Sequence, residues 1–398
     1  MSLKSISFSS YKKFKGEERV EIKPVTVLVG KNSSGKSSIC KLFPMLANSM
    51  MPYNIFPPLL FENNGVSLGT SFSDISHNGD SVGLSFGLQF SSGIDIKVNL
   101  VSEDLNQSVM IERYELNKNN ENFILIFDRK NRKYTSNFQR ESFEIIDFSG
   151  FYHEGLFEKA GVSDNDIDIN VDYIGPFRIL PQRVYHSKGF EVTGRVGVLG
   201  ENAYHELYTN LDLKEQVSKW YVDNFGVALS VDWVEGLKGA LQVHTVNELN
   251  GNIVNIVDEG QGMNQALPIV VRCNMAEENS IVVVEQPELH LHPKAHASLG
   301  RLFAETSKNN SQNYIVETHS ENLLLGLRDA VVDSDIDFNP DDVVIYFVDE
   351  DDEDGSAYLR PITIQEDGML SDWPTGVFNE AYELLSEIKR KAFSNKNR

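Results

Sequence analysis

One segment near the N-terminus limits what this chain can fold into more than any other, the run GKNSSGKS at residues 30–37. It fits the pattern GxxxxGK[ST], and it has the strand-then-helix context that this phosphate-binding loop requires. An apolar run, Val25–Val29, precedes it, and an amphipathic stretch follows. Gly30 and Gly35 let the backbone form a nest whose N–H groups point at phosphates. The sequence therefore predicts a nucleoside triphosphate site, with ATP as the expected ligand.

The remaining residues of the loop have predicted roles in the same site. Lys36 is expected to reach the β- and γ-phosphates, and Ser37 to ligate Mg²⁺. Asn32, Ser33 and Ser38 complete the predicted nucleotide contacts.

Two further apolar runs lead to side chains that can bind a metal ion or contact a phosphate. The predicted strand Ile281–Val284 ends in Glu285, and a carboxylate at the C-terminal edge of a buried strand suits a hard cation such as Mg²⁺. The predicted strand Tyr314–Val316 leads to His319, and Ser320 can cap the helix that follows.

A fourth element is the polar turn Asp258–Gln265, which opens an apolar helix. A helix N-terminus favours anions, so this turn is predicted to be a second phosphate-binding element. Its candidate contacts are Gly260, Gly262, Asn264 and Gln265.

Strands alternate with helices in the final third of the chain, which predicts an α/β fold with a largely parallel sheet. Residues 49–169 differ, since strand patterns there are separated by polar turns, as in a β-rich insertion. We expect a discontinuous head made of residues 1–48 and 170–398, with a small C-terminal region at 340–398. The last helix places Phe378, Ala381, Leu385 and Ile388 on one face, which is expected to pack on the head, with a surface for a partner as the alternative.

Composition restricts the classes of function. The chain has 58 acidic and 36 basic residues and a net charge of −22, which argues against non-specific adhesion to nucleic acid. Cys40 and Cys273 lie in apolar surroundings and are interpreted as buried thiols of a cytosolic protein. No apolar run approaches the ~18 to 20 residues that span a bilayer, so a cytoplasmic location without a membrane partner is expected.

Taken in order, these elements resemble the ATPase heads of the ABC/SMC-like superfamily. The nearest group is the prokaryotic AAA-15/AAA-21 ATPases, which are related to the overcoming-lysogenization-defect nucleases and to the RecF and Rad50 heads. The phrases ELHLHP at 288–293 and ETHS at 317–320 carry this resemblance, together with YIGPFR at 173–178 and PQR at 181–183. The C-terminal stretch from Asp372 to Glu380 resembles the DUF3696-type tail of many members.

The resemblance implies an ABC-type P-loop head with two lobes that forms a homodimer, with two ATP molecules sandwiched between the subunits. Lys36 and Ser37 of one subunit would face the segment Gly260–Gln265 of the other. His319 would be the switch histidine at the γ-phosphate, and Gln182 a candidate Q-loop equivalent. Asn264 stands where serine is usual in such signatures, which weakens the expected grip on the γ-phosphate.

One departure from the family pattern bears on catalysis. Members usually carry two acidic residues at the end of the second motif's strand, whereas this chain has Glu285-Gln286. An amide cannot act as a base, and losing such a base costs on the order of 10²–10⁴-fold in rate. Either Glu288 takes over, or hydrolysis is slow and the ATP-bound dimer is long-lived. We expect weak or partner-stimulated hydrolysis.

The expected function is that of an ATP-gated dimeric switch for a separate effector, a nuclease or toxin supplied in trans. About 80 residues follow His319, fewer than the nuclease domain of the overcoming-lysogenization-defect proteins needs. The resemblance suggests bacterial anti-phage defence. The alternative is a RecF- or Rad50-like DNA-repair ATPase that clamps DNA in the ATP state, and a transporter ATPase is a third, disfavoured class.

Several residues have an ordinary interpretation beside a functional one. His290, His292 and His296 could bind a metal, but a structural loop beside the nucleotide is favoured because no Cys or Asp joins them. Arg178 and Arg183 could contact phosphate or bridge the lobes. The acidic run Asp349–Asp354 is interpreted as a solvated turn rather than a cation site.

Overall fold

A computed structural model describes residues 3–52, 57–80, 83–102, 109–139, 142–144, 147–186, 194–372 and 385–391. Its strands are β1 Leu3–Ser9, β2 Glu18–Glu21, β3 Val25–Gly30, β4 Glu62–Asn63, β5 Val66–Ser67, β6 Leu84–Phe90, β7 Ile94–Ser102, β8 Val109–Lys118, β9 Glu121–Asp128, β10 Lys133–Ser136, β11 Phe148–Ser149, β12 Tyr152–His153, β13 Asn170–Ile174, β14 Tyr185–His186, β15 Val227–Trp233, β16 Ala240–Asn247, β17 Ile253–Asn255, β18 Ser280–Glu285, β19 Asn313–Glu317, β20 Val343–Glu350 and β21 Ala357–Ile362. Its helices are α1 Lys36–Ser49, α2 Phe72–Ile75, α3 Glu154–Ala160, α4 Asp164–Ile167, α5 Ala203–Thr209, α6 Leu211–Phe225, α7 Gln261–Asn274, α8 Pro293–Asn309 and α9 Glu321–Val332.

The central sheet has the strand order β13-β18-β19-β3-β20-β21. The first five strands are parallel, and β21 pairs with β20 in the antiparallel sense. Parallel strands must be joined by crossovers, which here include helices α8 and α9. The predicted α/β fold with a largely parallel sheet is confirmed.

Both faces of this sheet are covered, which explains why its central strands β3, β18 and β19 are largely apolar and buried. On β18, Ile281 and Val283 point into one core, and Val282 and Val284 point into the other. The first core contains α1 and the antiparallel sheet described next, and the second contains residues of α7, α8 and α9.

A second sheet of seven antiparallel strands has the order β10-β9-β8-β7-β6-β1-β2. Strand β1 pairs directly with β6, with Ile6 opposite Leu88. The sheet thus contains strands from both sides of the boundary that we expected at residue 49. The division into a head and an insertion at 49–169 remains a prediction about the chain, but it does not divide this sheet.

A third sheet packs on the second core. It has the order β14-β16-β15, and β17 also pairs with β16. Strands β16 and β17 form a hairpin with its turn at Asn250-Gly251.

Residues 385–391 are helical, but their apolar side chains are not packed on the head. Leu385 is 53% exposed and Ile388 is 51% exposed, so the expected packing of this helix is wrong for these two residues. Phe378 and Ala381 lie outside the described residues. Within the described part of the chain, none of the helices combines the length and the apolar character needed to cross a membrane.

Helices α8 and α9 approach closely because glycine is present on both. A Cβ added to Gly326 would lie 2.0 Å from the carbonyl oxygen of Ala297, and one added to Gly300 would lie 2.3 Å from that of Leu323. Backbone atoms cannot give way like the end of a flexible side chain. These two glycines therefore fix the distance between the helices that follow β18 and β19.

We predict that Gly326→Ala lowers the free energy of unfolding by about 1–3 kcal/mol, as overpacking does in a close-packed core. Denaturant-induced unfolding measures the change. Gly16→Ala is the matched control, since a Cβ there meets nothing within 4 Å, and it should stay within about 0.5 kcal/mol of the parent. Equal stability of the two variants would contradict the close approach.

Candidate nucleotide-binding site

The phosphate loop connects the fully buried strand β3 to helix α1, which begins at Lys36. Its two glycines are required by backbone shape and by space. Gly30 has φ 148°, and a Cβ there would lie 2.6 Å from the carbonyl oxygen of Val348. Gly35 has φ 113°, and a Cβ there would lie 2.9 Å from the ring of Phe14. The loop therefore has a backbone conformation that needs glycine at both positions where the pattern GxxxxGK[ST] has it.

Lys36 curls back over this loop. Its ammonium donates to the carbonyl oxygens of Gly30 at 3.0 Å and of Lys31 at 2.6 Å. The side chain is buried, and burial lowers the pKa of Lys36, an effect that the nearby carboxylate of Glu317 opposes. A phosphate placed in the loop would meet this ammonium together with the loop N–H groups.

Two carboxylates lie side by side beneath the loop. Glu285 ends β18, Glu317 ends β19, and the two residues are paired in the register of the parallel strands. Both are buried. Burial, followed by the charge of Glu317, raises the pKa of Glu285 to about 7.

Neutral hydroxyl groups stabilise this pair. Tyr173 on β13 donates its hydroxyl hydrogen to Glu285. Burial also raises the pKa of Glu317, and a hydrogen bond from Ser37 counteracts that rise. Ser37, Glu285 and Glu317 thus bring one hydroxyl and two carboxylates to one place, and a hard divalent cation prefers such oxygen ligands.

The turn after β18 is held by a buried arginine. Arg178 donates to the carbonyl oxygens of Glu285 at 2.8 Å and of Gln286 at 2.9 Å. Burial lowers the pKa of Arg178 to about 10, although the nearby carboxylates of Glu288 and Glu285 oppose this. Arg178 therefore positions the strand end, and neither of these bonds reaches the phosphate loop.

Glu288 and His319 are linked through the backbone. The N–H of His319 donates to a carboxylate oxygen of Glu288 at 2.6 Å. Burial, and then the positive charge of Lys36, lowers the pKa of His319. The neutral imidazole is accordingly favoured beside the lysine.

A cleft of about 330 Å³ opens over the loop. Eight residues predicted for the site line it, namely Asn32, Ser33, Gly35, Lys36, Ser37, Ser38, Gln286 and His319. Three further lining residues, Lys12, Lys13 and Glu317, were not predicted. Glu317 had a signal in the sequence, since it ends its apolar strand just as Glu285 does. Lys12 and Lys13 had none, because they belong to the turn after β1 and reach the cleft only through tertiary folding. A larger cavity, about 540 Å³, lies beside the C-terminal half of α1 and away from the phosphate loop.

The second predicted phosphate-binding element lies elsewhere in the chain. Gly260 caps α7 and is exposed, while a Cβ at Gly262 would lie 2.6 Å from the carbonyl oxygen of His290. Asn264 is buried and donates to the carbonyl oxygen of Ile256 at 2.9 Å, and Gln265 is buried as well. The side chains of Asn264 and Gln265 are thus packed within the head of the single chain, and the expectation that the segment Gly260–Gln265 faces a second subunit stays a prediction. The part of this segment that is exposed and could contact a phosphate is the backbone at Gly260.

Gln182 is exposed and does not line the cleft. The guanidinium of the neighbouring Arg183 pairs with both carboxylate oxygens of Asp258, at 2.9 and 2.6 Å. Arg183 thus bridges two segments of the head, which is one of the two roles considered for it.

The histidine group has an internal explanation. The two ring nitrogens of His296 bond to the hydroxyl of Ser320 at 2.8 Å and to the carbonyl oxygen of Leu291 at 3.0 Å. His292 caps α8 with its side chain. His296 therefore has no free lone pair for a metal, in accord with the structural interpretation. Asp349–Asp354 spans the end of β20 and the turn to β21, and Glu350 pairs there with Lys13 at 2.6 Å.

Comparison with known families fits this geometry. Residues 25–326 match the model AAA_21, described as "AAA domain, putative AbiEii toxin, Type IV TA system". The chain belongs to this family. Residues 338–388 match the family described as "Protein of unknown function (DUF3696)", which confirms the resemblance of the tail. Membership makes the chain an ATPase of the ABC/SMC-like class, for which nucleotide binding with Mg²⁺ is general.

Three solved structures are similar to this chain. The SmcHead bound to the C-winged helix domain of ScpA is 11% identical, with 93% of this chain and 100% of that chain covered and a TM-score of 0.50. The SMC head domain from Thermotoga maritima is 14% identical over 91% and 99% of the two chains, with a TM-score of 0.41. The Smc head from Pyrococcus furiosus, bound to the C-terminal domain of ScpA, is 12% identical over 98% and 99%, with a TM-score of 0.43. The first of these supports the head fold and nothing finer. Among curated proteins, none matches the chain.

Proposed function

We propose that this chain binds Mg²⁺–ATP in the cleft over residues 30–37, hydrolyses it slowly, and uses the ATP state as a switch. The observation that supports this most directly is that the loop, Lys36 and the strand-end carboxylate of Glu317 line one cleft, with Glu285 paired to Glu317 on the adjacent strand. Such a site positions phosphates and balances their charge, which is most of what phosphoryl transfer asks of a protein.

The donor set fits Mg²⁺. Oxygen Oε2 of Glu317 is buried and has no hydrogen-bond partner, so a buried acceptor is left that a cation would satisfy. Ser37, Glu285 and Glu317 would hold the ion, and bound Mg²⁺ supplies neutralisation of charge on the phosphates. Lys36 would exchange its contacts with the loop carbonyls for contacts with phosphate oxygens.

Slow hydrolysis follows from the residues that surround the attacking water. Gln286 lines the cleft, and its amide can orient a water but cannot take its proton. Glu288 is the remaining carboxylate, and one of its oxygens already accepts the N–H of His319. Its other oxygen is buried and has no hydrogen-bond partner. We assign Glu288 the role of weak base, acting beside His319.

We predict that Gln286→Glu raises the single-turnover rate of ATP hydrolysis by at least about tenfold, because it puts a carboxylate at the position where members of the family usually have an acidic residue. Glu288→Gln should lower the rate by about 10²-fold or more. Quenched-flow measurement with labelled ATP checks both variants. Lys36→Ala is the control for contaminating ATPase, and it should abolish nucleotide binding. A fast parental rate that is insensitive to Glu288→Gln would rule out the proposed assignment.

The ATP state is proposed to be a homodimer. The exposed N-terminus of α7 at Gly260 can offer backbone N–H groups to a nucleotide held by a second copy. Phe177 and Leu180 are 81% and 73% exposed. They flank Arg178, which bonds to the carbonyl of Gln286 at the edge of the cleft. We infer that these side chains are covered by the second copy when ATP closes the interface.

We predict that the double variant Phe177→Ser, Leu180→Ser raises the dissociation constant of the ATP-bound dimer by at least about tenfold, since exposed apolar anchors contribute strongly when an interface covers them. Light scattering with size-exclusion chromatography in Mg²⁺–ATP measures the effect. Leu249→Ser is the matched control, because Leu249 is 96% exposed at the distant β16–β17 turn. An equal loss of dimer in the control would contradict this interface.

We further propose that the switch acts on a separate effector in anti-phage defence. The description of the matching family names a putative toxin of a type IV toxin–antitoxin system. The SmcHead structure was solved with a ScpA domain bound, so a head of this fold can hold a protein partner.

Co-purification with the product of a neighbouring gene is expected in ATP and is expected to be lost in Lys36→Ala. Salt-dependent binding of duplex DNA without such a partner would instead favour the DNA-clamping alternative.

A further inference from the structure

A thiol lies next to the two strand-end carboxylates. Cys40 follows Ser37 by three residues on α1, which puts both on the same face of the helix. Its sulfur, one oxygen of Glu285 and one oxygen of Glu317 all lie within 4.8 Å of one another. Among the residues that the structure describes, these three side chains form the one group of potential metal ligands whose ligand atoms lie this close together.

A second observation points to a ligand at this position. Glu317 is 2% exposed, and its oxygen Oε2 has no hydrogen-bond partner. Ser37 hydrogen-bonds to the same carboxylate, and Tyr173 donates to Glu285. The buried cluster is thus supported by hydroxyl donors and still has one unsatisfied acceptor, which costs free energy unless a cation meets it.

The donor set distinguishes between cations. Mg²⁺ binds oxygen ligands in octahedral geometry and does not favour a sulfur ligand. One thiolate with two carboxylates suits Zn²⁺, which accepts sulfur and oxygen ligands and can keep a fourth position open. We propose that Cys40, Glu285 and Glu317 form a Zn²⁺-binding site beneath the phosphate loop.

The distances allow this with small movements. Zn–S and Zn–O bonds of about 2.3 and 2.1 Å in a tetrahedron put neighbouring ligand atoms about 3.5 Å apart. The three atoms, now within 4.8 Å of one another, would each have to approach the others by about 1.3 Å or less to reach that spacing. Zn²⁺ replaces the thiol proton of Cys40, and the proton leaves to solvent, so no oxidant or reductant is needed.

Zn²⁺ at this position would regulate the nucleotide site. It would occupy Glu285 and Glu317, which the proposed function assigns to Mg²⁺, so the two ions would compete. Only this consequence rests on the proposed function, because binding of Zn²⁺ to the three side chains does not require ATP.

Titration of the nucleotide-free full chain with Co²⁺, a spectroscopic substitute for Zn²⁺, tests the site. We expect a thiolate-to-cobalt charge-transfer band that stoichiometric Zn²⁺ removes. Cys40→Ser should abolish the band, and Glu317→Gln should weaken Co²⁺ binding at least about tenfold. Cys273→Ser is the matched control, since Cys273 is the other buried free cysteine, and it should keep the band.

Three results would overturn the proposal. They are no band in the parent, a band that persists in Cys40→Ser, or a band lost in Cys273→Ser. Circular dichroism confirms that each variant is folded, and Glu317→Gln provides an independent test if Cys40→Ser does not fold. ATP binding by the parent and by Lys36→Ala is measured in parallel. A missing band with intact ATP binding refutes the Zn²⁺ site alone, and a band without ATP binding refutes the proposed function alone.

Discussion

Two carboxylates buried side by side, Glu285 and Glu317, are the constraint on which the rest of the site depends. They occupy the ends of adjacent parallel strands, and the register of the sheet places them side by side. Two like charges in an apolar environment are costly unless protons, hydrogen bonds or cations balance them. The surrounding residues supply that balance, with hydroxyls from Tyr173 and Ser37 and an ammonium from Lys36.

The same constraint explains why the loops around the site are so closely fixed. If the carboxylates are to meet phosphate and metal at one point, the phosphate loop must approach β20 to a distance that only Gly30 permits. The strand end must also keep its direction, and Arg178 secures it through two carbonyl groups while remaining buried. Lys36 bonds to the loop carbonyls, which keeps its charge close to Glu317.

Much of this could be predicted from local patterns. The phosphate loop, the strand that ends at Glu285, the strand that leads to His319, and helix α9 follow from apolar runs and capping residues that lie close together in sequence. The pairing of β1 with β6 could not be predicted, because it joins residues more than 70 positions apart. Asn264 was interpreted from its place in a motif, whereas its burial depends on the packing of α7.

The proposed function has the site hold ATP and hydrolyse it slowly, and the residues around it supply the physical reason. Binding requires fixed positive charge and backbone donors, and the loop and Lys36 provide both. Hydrolysis requires in addition a base that is free to accept a proton, and the two candidates are each limited. Gln286 lines the cleft, but its amide is not a base. Glu288 can act as a base, but one of its carboxylate oxygens already accepts a hydrogen bond from the backbone N–H of His319. The other oxygen of Glu288 has no hydrogen-bond partner but is buried, so a water must reach it before it can accept a proton. A contact with the segment after β19 that moves His319 would expose this carboxylate, and by this route a bound partner would set the lifetime of the proposed ATP state.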